Sequence, residues 1–312
     1  MTRIAPWFPA LIALLISIPA AAGGPTVVYP PDLALVTDNT VGILAYRGSG
    51  EDPVTVTVNG IGKDPLEGEG FLSVSVDLAL GGNVIDVGGT RVRVYSFPGS
   101  RRDQYQSAPG ADGSPPLTYR SYRLHPALED GCQGCHLAKD GRLGIVMVLK
   151  EACYGCHDNF EQGGEEGGTW YLHAPVAGGE CVSCHEPHVS TRQKLLKKDG
   201  ICFDCHDPFP AEGTVHIPVK YGECTACHSP HAGPAPKQLR RVGNALCLGC
   251  HETPHTQHRS AEVKGQLTKI PPDFPVENGE LSCLGCHRPH QSTERRLFRV
   301  KQGEMCQTCH RV

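Results

Sequence analysis

Residues 181–188 read Cys181-Val182-Ser183-Cys184-His185-Glu186-Pro187-His188, and their first five positions define the repeated element of this sequence. The pattern Cys-x-x-Cys-His occurs eight times in the 312-residue chain and accounts for every cysteine. The cysteines are Cys132, Cys135, Cys153, Cys156, Cys181, Cys184, Cys202, Cys205, Cys224, Cys227, Cys247, Cys250, Cys283, Cys286, Cys306 and Cys309. The histidines that close the copies, called motif histidines below, are His136, His157, His185, His206, His228, His251, His287 and His310.

Consecutive copies of the motif form four doublets. Doublet 1 runs from Cys132 to His157, doublet 2 from Cys181 to His206, doublet 3 from Cys224 to His251, and doublet 4 from Cys283 to His310. Within each doublet we call the two motifs, and their histidines, leading and trailing.

The spacing of the motif is the signature of c-type haem attachment. Two thiols separated by two residues reach the two vinyl groups of a porphyrin, and the next residue brings an imidazole to the iron from the same face. The sequence therefore predicts eight covalently attached haem c groups, with all sixteen cysteines as attachment sites and the motif histidines as proximal iron ligands.

Two other uses of the cysteines have to be weighed. The cysteine spacing within a doublet, C-x₂-C-x₁₇₋₁₉-C-x₂-C, also occurs in zinc ribbons. Disulfide bonds would suit an exported protein. Neither alternative requires a histidine directly after the second cysteine, and here one follows in all eight copies.

The histidines outside the motifs supply a second set of candidate ligands. Eight remain, which matches the eight distal iron positions and predicts bis-histidine coordination throughout: His125, His173, His188, His216, His231, His255, His258 and His290. A His/Met site through Met147 or Met305 is possible but not required by this count.

Three of these candidates, His188, His231 and His290, follow a leading motif histidine as His-x-Pro-His. A residue three positions further along cannot easily wrap around the macrocycle to the opposite face of the same haem. We therefore expect each of the three to bind the iron of a neighbouring haem and so to hold adjacent haems close together.

The first half of the chain has a different character, because residues 24–97 contain neither cysteine nor histidine. Seven short alternating runs predict a small all-β sandwich, at residues 26–29, 33–36, 41–46, 54–58, 71–78, 84–87 and 91–95. Val54-Thr55-Val56-Thr57-Val58 leads into Asn59-Gly60, a strong signal for a hairpin turn. The order V-T-V-N-G, Gly70-Phe71, Leu80-Gly81-Gly82-Asn83 resembles bacterial immunoglobulin-like modules, although the Cys…Trp…Cys signature is missing.

The ends of this domain are predicted from composition. Residues 1–22 read as a signal peptide, with Arg3, a short apolar run and Ala20-Ala21-Ala22 before Gly23. Residues 98–120 read as a Pro/Gly/Ser linker before a haem domain over 121–312. We expect an exported protein, periplasmic or extracellular, with no integral membrane segment in the mature chain. A formal charge of −4 argues against nucleic acid as a partner.

Residues 125–312 resemble the doubled Cys-x-x-Cys-His family of multihaem c-type cytochromes. The clearest copies are His173-Ala174-Pro175-Val176 through His206 and His216-Ile217-Pro218-Val219 through His251, whose first cysteines lie 43 residues apart. The resemblance implies a mostly irregular, short-helical domain that carries electrons in respiratory or extracellular electron transfer. Its partners would be redox proteins or extracellular acceptors.

Two other functions stay open at this point. A catalytic octahaem reductase of a nitrogen or sulfur oxyanion needs an iron with an open axial site, whereas the histidine count closes all of them. The chain could also self-assemble as a subunit of a cytochrome filament, with a histidine binding a haem of the next subunit. We therefore expect an electron-transfer protein and not an enzyme.

Overall fold

The structure is a computed structural model, and it describes residues 24–48, 52–68, 70–98, 115–128, 132–139, 142–145, 148–163, 170–210, 212–252, 270–277 and 279–310. The predicted signal peptide lies outside these residues, as does most of the predicted linker. The chain divides into two compact units, residues 1–146 and 147–312, so the first unit extends beyond the predicted linker.

The first unit is rich in β-structure. Its strands are β1 (Thr26–Tyr29), β2 (Ala34–Val36), β3 (Thr40–Tyr46), β4 (Val56–Val58), β5 (Ile61–Lys63), β6 (Leu66–Gly68), β7 (Phe71–Asp77), β8 (Gly81–Val87), β9 (Thr90–Ser96), β10 (Arg123–Leu124), β11 (His136–Lys139) and β12 (Arg142–Ile145). One sheet has the order β1-β3-β7-β6, a second has the order β2-β9-β8-β4-β5, and β11 pairs with β12. The pairs are antiparallel except β2 with β9, which run parallel.

The two larger sheets share one apolar core. Ile43 and Leu72 come from the four-stranded sheet, Ile85 and Val94 from the five-stranded sheet, and each side chain is at most 2% exposed. The alternation of apolar and polar residues that predicted these strands therefore places one face of each sheet inside.

The Asn59-Gly60 hairpin is confirmed, with β4 pairing with β5 across it. Asn59 and Gly60 both have positive φ (51° and 83°), as the tightest hairpin turn requires. The Asn59 amide also bonds to the buried Asn83, whose side chain bonds to the Ala79 and Gly81 backbone. The two asparagines singled out in the sequence thus fix two turns of the sheet together. Strands β5 and β6 were not predicted, because Leu66 and Ile61 are exposed and give no alternating pattern.

The second unit is built from short pieces. Its strands are β13 (Tyr171–Leu172), β14 (Val189–Ser190), β15 (Thr214–Val215), β16 (Ala232–Gly233), β17 (Val276–Glu277), β18 (Glu280–Leu281) and β19 (Gln291–Ser292). Its α-helices are α1 (Leu149–Tyr154), α2 (Ala174–Ala177), α3 (Cys181–Cys184), α4 (Ile217–Lys220), α5 (Asn244–Cys247), α6 (Cys283–Cys286) and α7 (Gln302–Gln307). Single 3₁₀ turns cover Phe160–Gln162, Gln193–Leu195, Ile201–Asp204, Cys224–Ala226, Pro236–Gln238 and Arg295–Leu297.

Two small ladders join neighbouring doublets of this unit. Strand β13, just before His173, pairs with β16, just after His231. Strand β15, just before His216, pairs with β19, just after His290. Each ladder brings the chain before one doublet against the His-x-Pro-His segment of the next doublet.

Replacing Ile85 by alanine leaves a cavity between the two sheets. We expect Ile85→Ala to lower the free energy of unfolding of the first unit by about 2–4 kcal/mol. Calorimetry of the full-length protein measures this change. Ile61→Ala removes the same atoms from a side chain that is 68% exposed, and we expect a change below about 0.5 kcal/mol. Equal losses for the two variants would contradict the assigned core.

An ion pair on the sandwich predicts a dependence of stability on pH. The Arg93 guanidinium and the Arg93 backbone N–H donate to the Asp32 carboxylate and lower the pKa of Asp32 to about 2. An unfolded aspartate has a pKa of about 3.9, so the stabilisation is complete above that pH and is lost as the pH falls towards 2.

We therefore expect Asp32→Asn to destabilise the first unit by about 1 kcal/mol at pH 7, a modest effect because the pair is largely exposed. The difference from the unsubstituted protein should shrink to a small fraction as the pH falls to 2. Thermal unfolding of the full-length protein across this pH range tests the prediction, with Asp77→Asn on β7 as an exposed control. A deficit that persists unchanged at pH 2 would contradict it.

Candidate functional site

All eight motifs fold into the same turn. The backbone N–H of each motif histidine donates to the carbonyl of the first cysteine, four residues earlier, at 2.9–3.0 Å. Residues four apart in such a turn lie on one face. Each motif thus presents its first cysteine and its histidine on one side, which is what attachment of a single flat group through sulfur and metal requires.

Four motif histidines of the second unit each face a histidine from outside the motifs. The ring centres are 6.0 Å apart for His206 and His173, 5.9 Å for His185 and His231, 6.1 Å for His251 and His216, and 6.0 Å for His228 and His290. The ring planes within these pairs lie 16–26° from parallel. Sequence alone did not show which histidine faces which.

These separations fit a bis-histidine haem iron. Two imidazoles that bind one metal ion from opposite sides, each through a nitrogen about 2 Å from the ion, place their ring centres about 6 Å apart. Within the part of the chain that the structure describes, no three His, Cys, Asp or Glu residues converge as a metal-binding group. A zinc ribbon holds its metal through four converging ligands, so the pairwise arrangement suits a metal that carries its own equatorial ligands.

We call a pair leading or trailing after the motif histidine that it contains. In each leading pair, the facing histidine comes from the following doublet. His231 belongs to doublet 3 but faces His185 of doublet 2, and His290 belongs to doublet 4 but faces His228 of doublet 3. The trailing pairs close within their own repeat, because His173 and His216 precede the doublets whose trailing histidines they face. For His231 and His290 the geometry agrees with the expectation that the last histidine of His-x-Pro-His reaches a neighbouring site, whereas for His188 this stays a prediction.

Backbone hydrogen bonds fix the two kinds of pair together. The backbone N–H of His173 donates to the His231 carbonyl at 2.8 Å, and that of His216 donates to the His290 carbonyl at 2.9 Å. The His173 Nδ1 also lies 3.0 Å from the Pro230 carbonyl, which leaves Nε2 for a metal. Histidines of two different pairs are therefore in direct contact.

The surroundings favour neutral imidazoles. Burial, followed by the charge of nearby histidines, lowers the pKa of His216, His231 and His290. Neutral imidazole is the form that binds a metal. Burial likewise raises the pKa of the Cys247 thiol to about 11, and the adjacent Cys283 adds to the shift. This last contact joins the trailing motif of doublet 3 to the leading motif of doublet 4.

The second unit has almost no aliphatic core. Among its described residues, the buried apolar side chains are those of Ala232 and Ala235. Larger apolar side chains such as Ile217 (68%), Tyr221 (71%) and Val242 (63%) are exposed. Such a chain needs a large apolar group to pack around, and the flat face of a porphyrin would meet that need.

Three phenylalanines pack against histidines of the second unit, and the sequence analysis missed two of them, Phe160 and Phe209. Phe160 lies against His231 with ring centres 4.5 Å apart, Phe209 against His290 at 4.7 Å, and Phe298 against His287 at 4.9 Å. The first two had a readable signal. Each follows a trailing motif histidine by three residues, in His-Asp-Asn-Phe160 and His-Asp-Pro-Phe209.

The remaining predicted ligands have a mixed status. His255, His258 and Met147 lie outside the described residues. In the first unit, the Nδ1 of His136 lies 3.2 Å from the Gly144 carbonyl, while His125 directly precedes a 3₁₀ turn at Pro126–Leu128. In the second unit, the Nδ1 of His188 lies 3.7 Å from a Glu186 carboxylate oxygen. Met305 is on α7, directly before Cys306.

A comparison with models of protein families finds the doubled CXXCH motif three times, over residues 173–211, 216–256 and 274–312. These segments contain doublets 2, 3 and 4. The doubled motifs indicate a multihaem c-type cytochrome, a class of electron-transfer proteins, with covalently bound haem c at six or more motifs. A search of curated proteins found no match to the chain. Among the described residues, no helix has both the length and the apolar character needed to cross a bilayer.

One glycine of the second unit is required for close packing. A Cβ on Gly233 would lie 2.6 Å from the Gln238 carbonyl carbon and 2.7 Å from the Leu239 oxygen, both backbone atoms that cannot easily move. We expect Gly233→Ala to reduce the yield of haem-loaded protein and to lower its thermal midpoint by several degrees. Gly303→Ala, with nothing within 4 Å, is the control and should leave both unchanged or slightly raised. A normal yield and midpoint for Gly233→Ala would contradict the packing of this loop.

Proposed function

We propose that this protein is an exported octahaem c-type cytochrome that carries electrons by hopping between closely spaced bis-histidine haems. We assign to it a role in periplasmic or extracellular electron transfer. Its partners would be redox proteins or extracellular acceptors. The observation that carries the proposal is the set of four imidazole pairs, each with ring centres 5.9–6.1 Å apart.

Haem c, when bound, supplies a one-electron Fe(III)/Fe(II) couple at each motif. The paired histidines of the chain would hold the iron through two imidazoles, so that its coordination would change little when its charge changes. Such a site favours transfer of electrons over binding of a substrate. For this reason we propose an electron carrier and not a catalytic reductase.

The His-x-Pro-His segments support short distances between neighbouring sites. His228 and His231 face different partners, His290 and His185, although only two residues separate them. Three residue steps span at most about 11 Å between Cα atoms. The hydrogen bond between His173 and His231 joins a third pair to this cluster. Electron hopping needs this kind of proximity.

The same proposal includes three further points. The protein binds eight haems, it is exported, and its other distal ligands are His125, His188, His255 and His258. They are supported by the sequence: eight identical motifs, eight further histidines and a signal-like start. The immunoglobulin-like assignment of the first unit is supported by its two-sheet core and the linked Asn59 and Asn83 turns.

Removing one distal imidazole tests the proposed pairs. In His231→Ala we expect the iron at His185 to lose its sixth ligand, because the facing imidazole is gone. Electron spin resonance should then show one high-spin ferric haem in each molecule, cyanide should bind to it, and the haem content by intact mass should stay at eight.

Ser229→Ala, in the same His-Ser-Pro-His segment, is the matched control and should remain entirely low-spin. A His231→Ala protein in which every haem stays low-spin would contradict the His185–His231 pair. A purified wild-type protein that is colourless, or whose mass is that of the bare polypeptide, would contradict the whole proposal.

A further inference from the structure

Left-handed backbone occurs at the same place in doublets 2, 3 and 4. Two consecutive non-glycine residues have positive φ in each: Lys194-Leu195 (56° and 52°), Lys237-Gln238 (61° and 55°), and Arg296-Leu297 (55° and 61°). Each such residue is sterically disfavoured relative to right-handed or extended backbone. The first member of every pair stands nine residues after a leading motif histidine.

The carbonyl of that first residue accepts a hydrogen bond from the motif histidine. The distance from Nδ1 to the carbonyl oxygen is 2.8 Å for His185 and Lys194, 2.8 Å for His228 and Lys237, and 2.9 Å for His287 and Arg296. Since the ψ of the left-handed residue sets the direction of its carbonyl, the unusual conformation and the contact with the imidazole belong together.

The motif itself holds the loop in this conformation. In doublet 3 the Ser229 N–H donates to the Gln238 carbonyl at 2.7 Å, and the Arg240 N–H donates to the Cys227 carbonyl at 2.9 Å. Equivalent bonds occur in the other two doublets, from Glu186 to Leu195, Lys197 to Cys184, Arg288 to Leu297 and Arg299 to Cys286. The strain is therefore offset by bonds that fix the loop against the cysteines.

Two trailing motif histidines, His206 and His251, differ. In the part of the chain that the structure describes, His206 and His251 have no such bond from Nδ1 to a carbonyl. In those pairs the facing histidine is held instead, His173 by the Pro230 carbonyl and His216 by the Pro289 carbonyl. Each of the four pairs thus has one imidazole fixed by a backbone carbonyl, and in the leading pairs it is the motif histidine.

We propose that Lys194, Lys237 and Arg296 are positioning residues. Their left-handed backbone sets the redox potential of the haems that the leading motifs of doublets 2, 3 and 4 bind. The inference rests on the proposed function. A carbonyl that accepts the Nδ1 proton makes the imidazole a more basic ligand and fixes the plane of its ring. A more basic ligand stabilises ferric over ferrous iron, which lowers the potential of that haem.

Two substitutions of Lys237 separate the backbone from the side chain. Lys237→Gly and Lys237→Val both remove the ammonium group, which lies near His290. Glycine adopts positive φ without a steric penalty, whereas a β-branched residue strongly disfavours it. Because neither variant carries a charge at this position, the difference between them reports on the backbone conformation and the direction of its carbonyl, not on the ammonium group.

In a spectroscopic redox titration we expect one haem of Lys237→Val to shift to more positive potential than in Lys237→Gly. The expected shift corresponds to about a tenfold change in the ferric-to-ferrous ratio, or about 59 mV for one electron. Superimposable titrations of the two variants, both fully loaded with haem, would overturn the inference. If the wild-type protein contained no low-spin haem, the proposed function itself would be overturned.

A second comparison keeps the test decisive if Lys237→Val does not fold and bind its haems. Lys194→Gly and Lys194→Val change the equivalent loop of doublet 2, and the same difference is expected there. Nuclear magnetic resonance gives an independent readout in the wild type and the glycine variants, because a bonded Nδ1 proton of His185 or His228 exchanges slowly with solvent. Fast exchange of both protons would refute the role assigned to the carbonyls.

Discussion

The organisation of the second unit depends on imidazoles that face one another about 6 Å apart, two pairs within a repeat and two pairs across the boundary between repeats. This constraint makes doublets 2 and 3 incomplete alone, because His185 is matched by a histidine of doublet 3, and His228 by one of doublet 4. The two-residue ladders and the backbone bonds between His173 and His231 serve the same end. These backbone contacts bring histidines that are far apart in sequence close enough to bind one metal ion.

The two units are stabilised in different ways. In the first unit, Ile43, Leu72, Ile85 and Val94 fill the space between two sheets, and burial of aliphatic surface provides the main favourable free energy. The described part of the second unit buries two alanines and leaves Ile217 and Tyr221 exposed. Such a chain gains little from its own side chains, so binding of haem and folding are expected to be one process.

Local backbone strain recurs at equivalent positions of the second unit. Lysine or arginine stands in left-handed backbone at three equivalent positions, where glycine would be less costly. Sequence inspection could not reveal these positions, because a Lys-Leu or Lys-Gln pair carries no left-handed signal. The phenylalanines were more accessible, since Phe160 and Phe209 stand at one fixed distance after a trailing motif histidine.

The sequence by itself determined the turns of the eight motifs and the strand pattern of the first unit. Both depend on interactions within a few residues: the i to i+4 bond inside Cys-x-x-Cys-His, and the alternation that leads into the Asn59-Gly60 hairpin. Only the tertiary structure decided which imidazole faces which. His185 and His231 are 46 residues apart, whereas the equivalent His228 and His290 are 62 apart, so no fixed spacing connects them. Their pairing follows from ladders and backbone bonds between repeats, which form only when the whole unit folds.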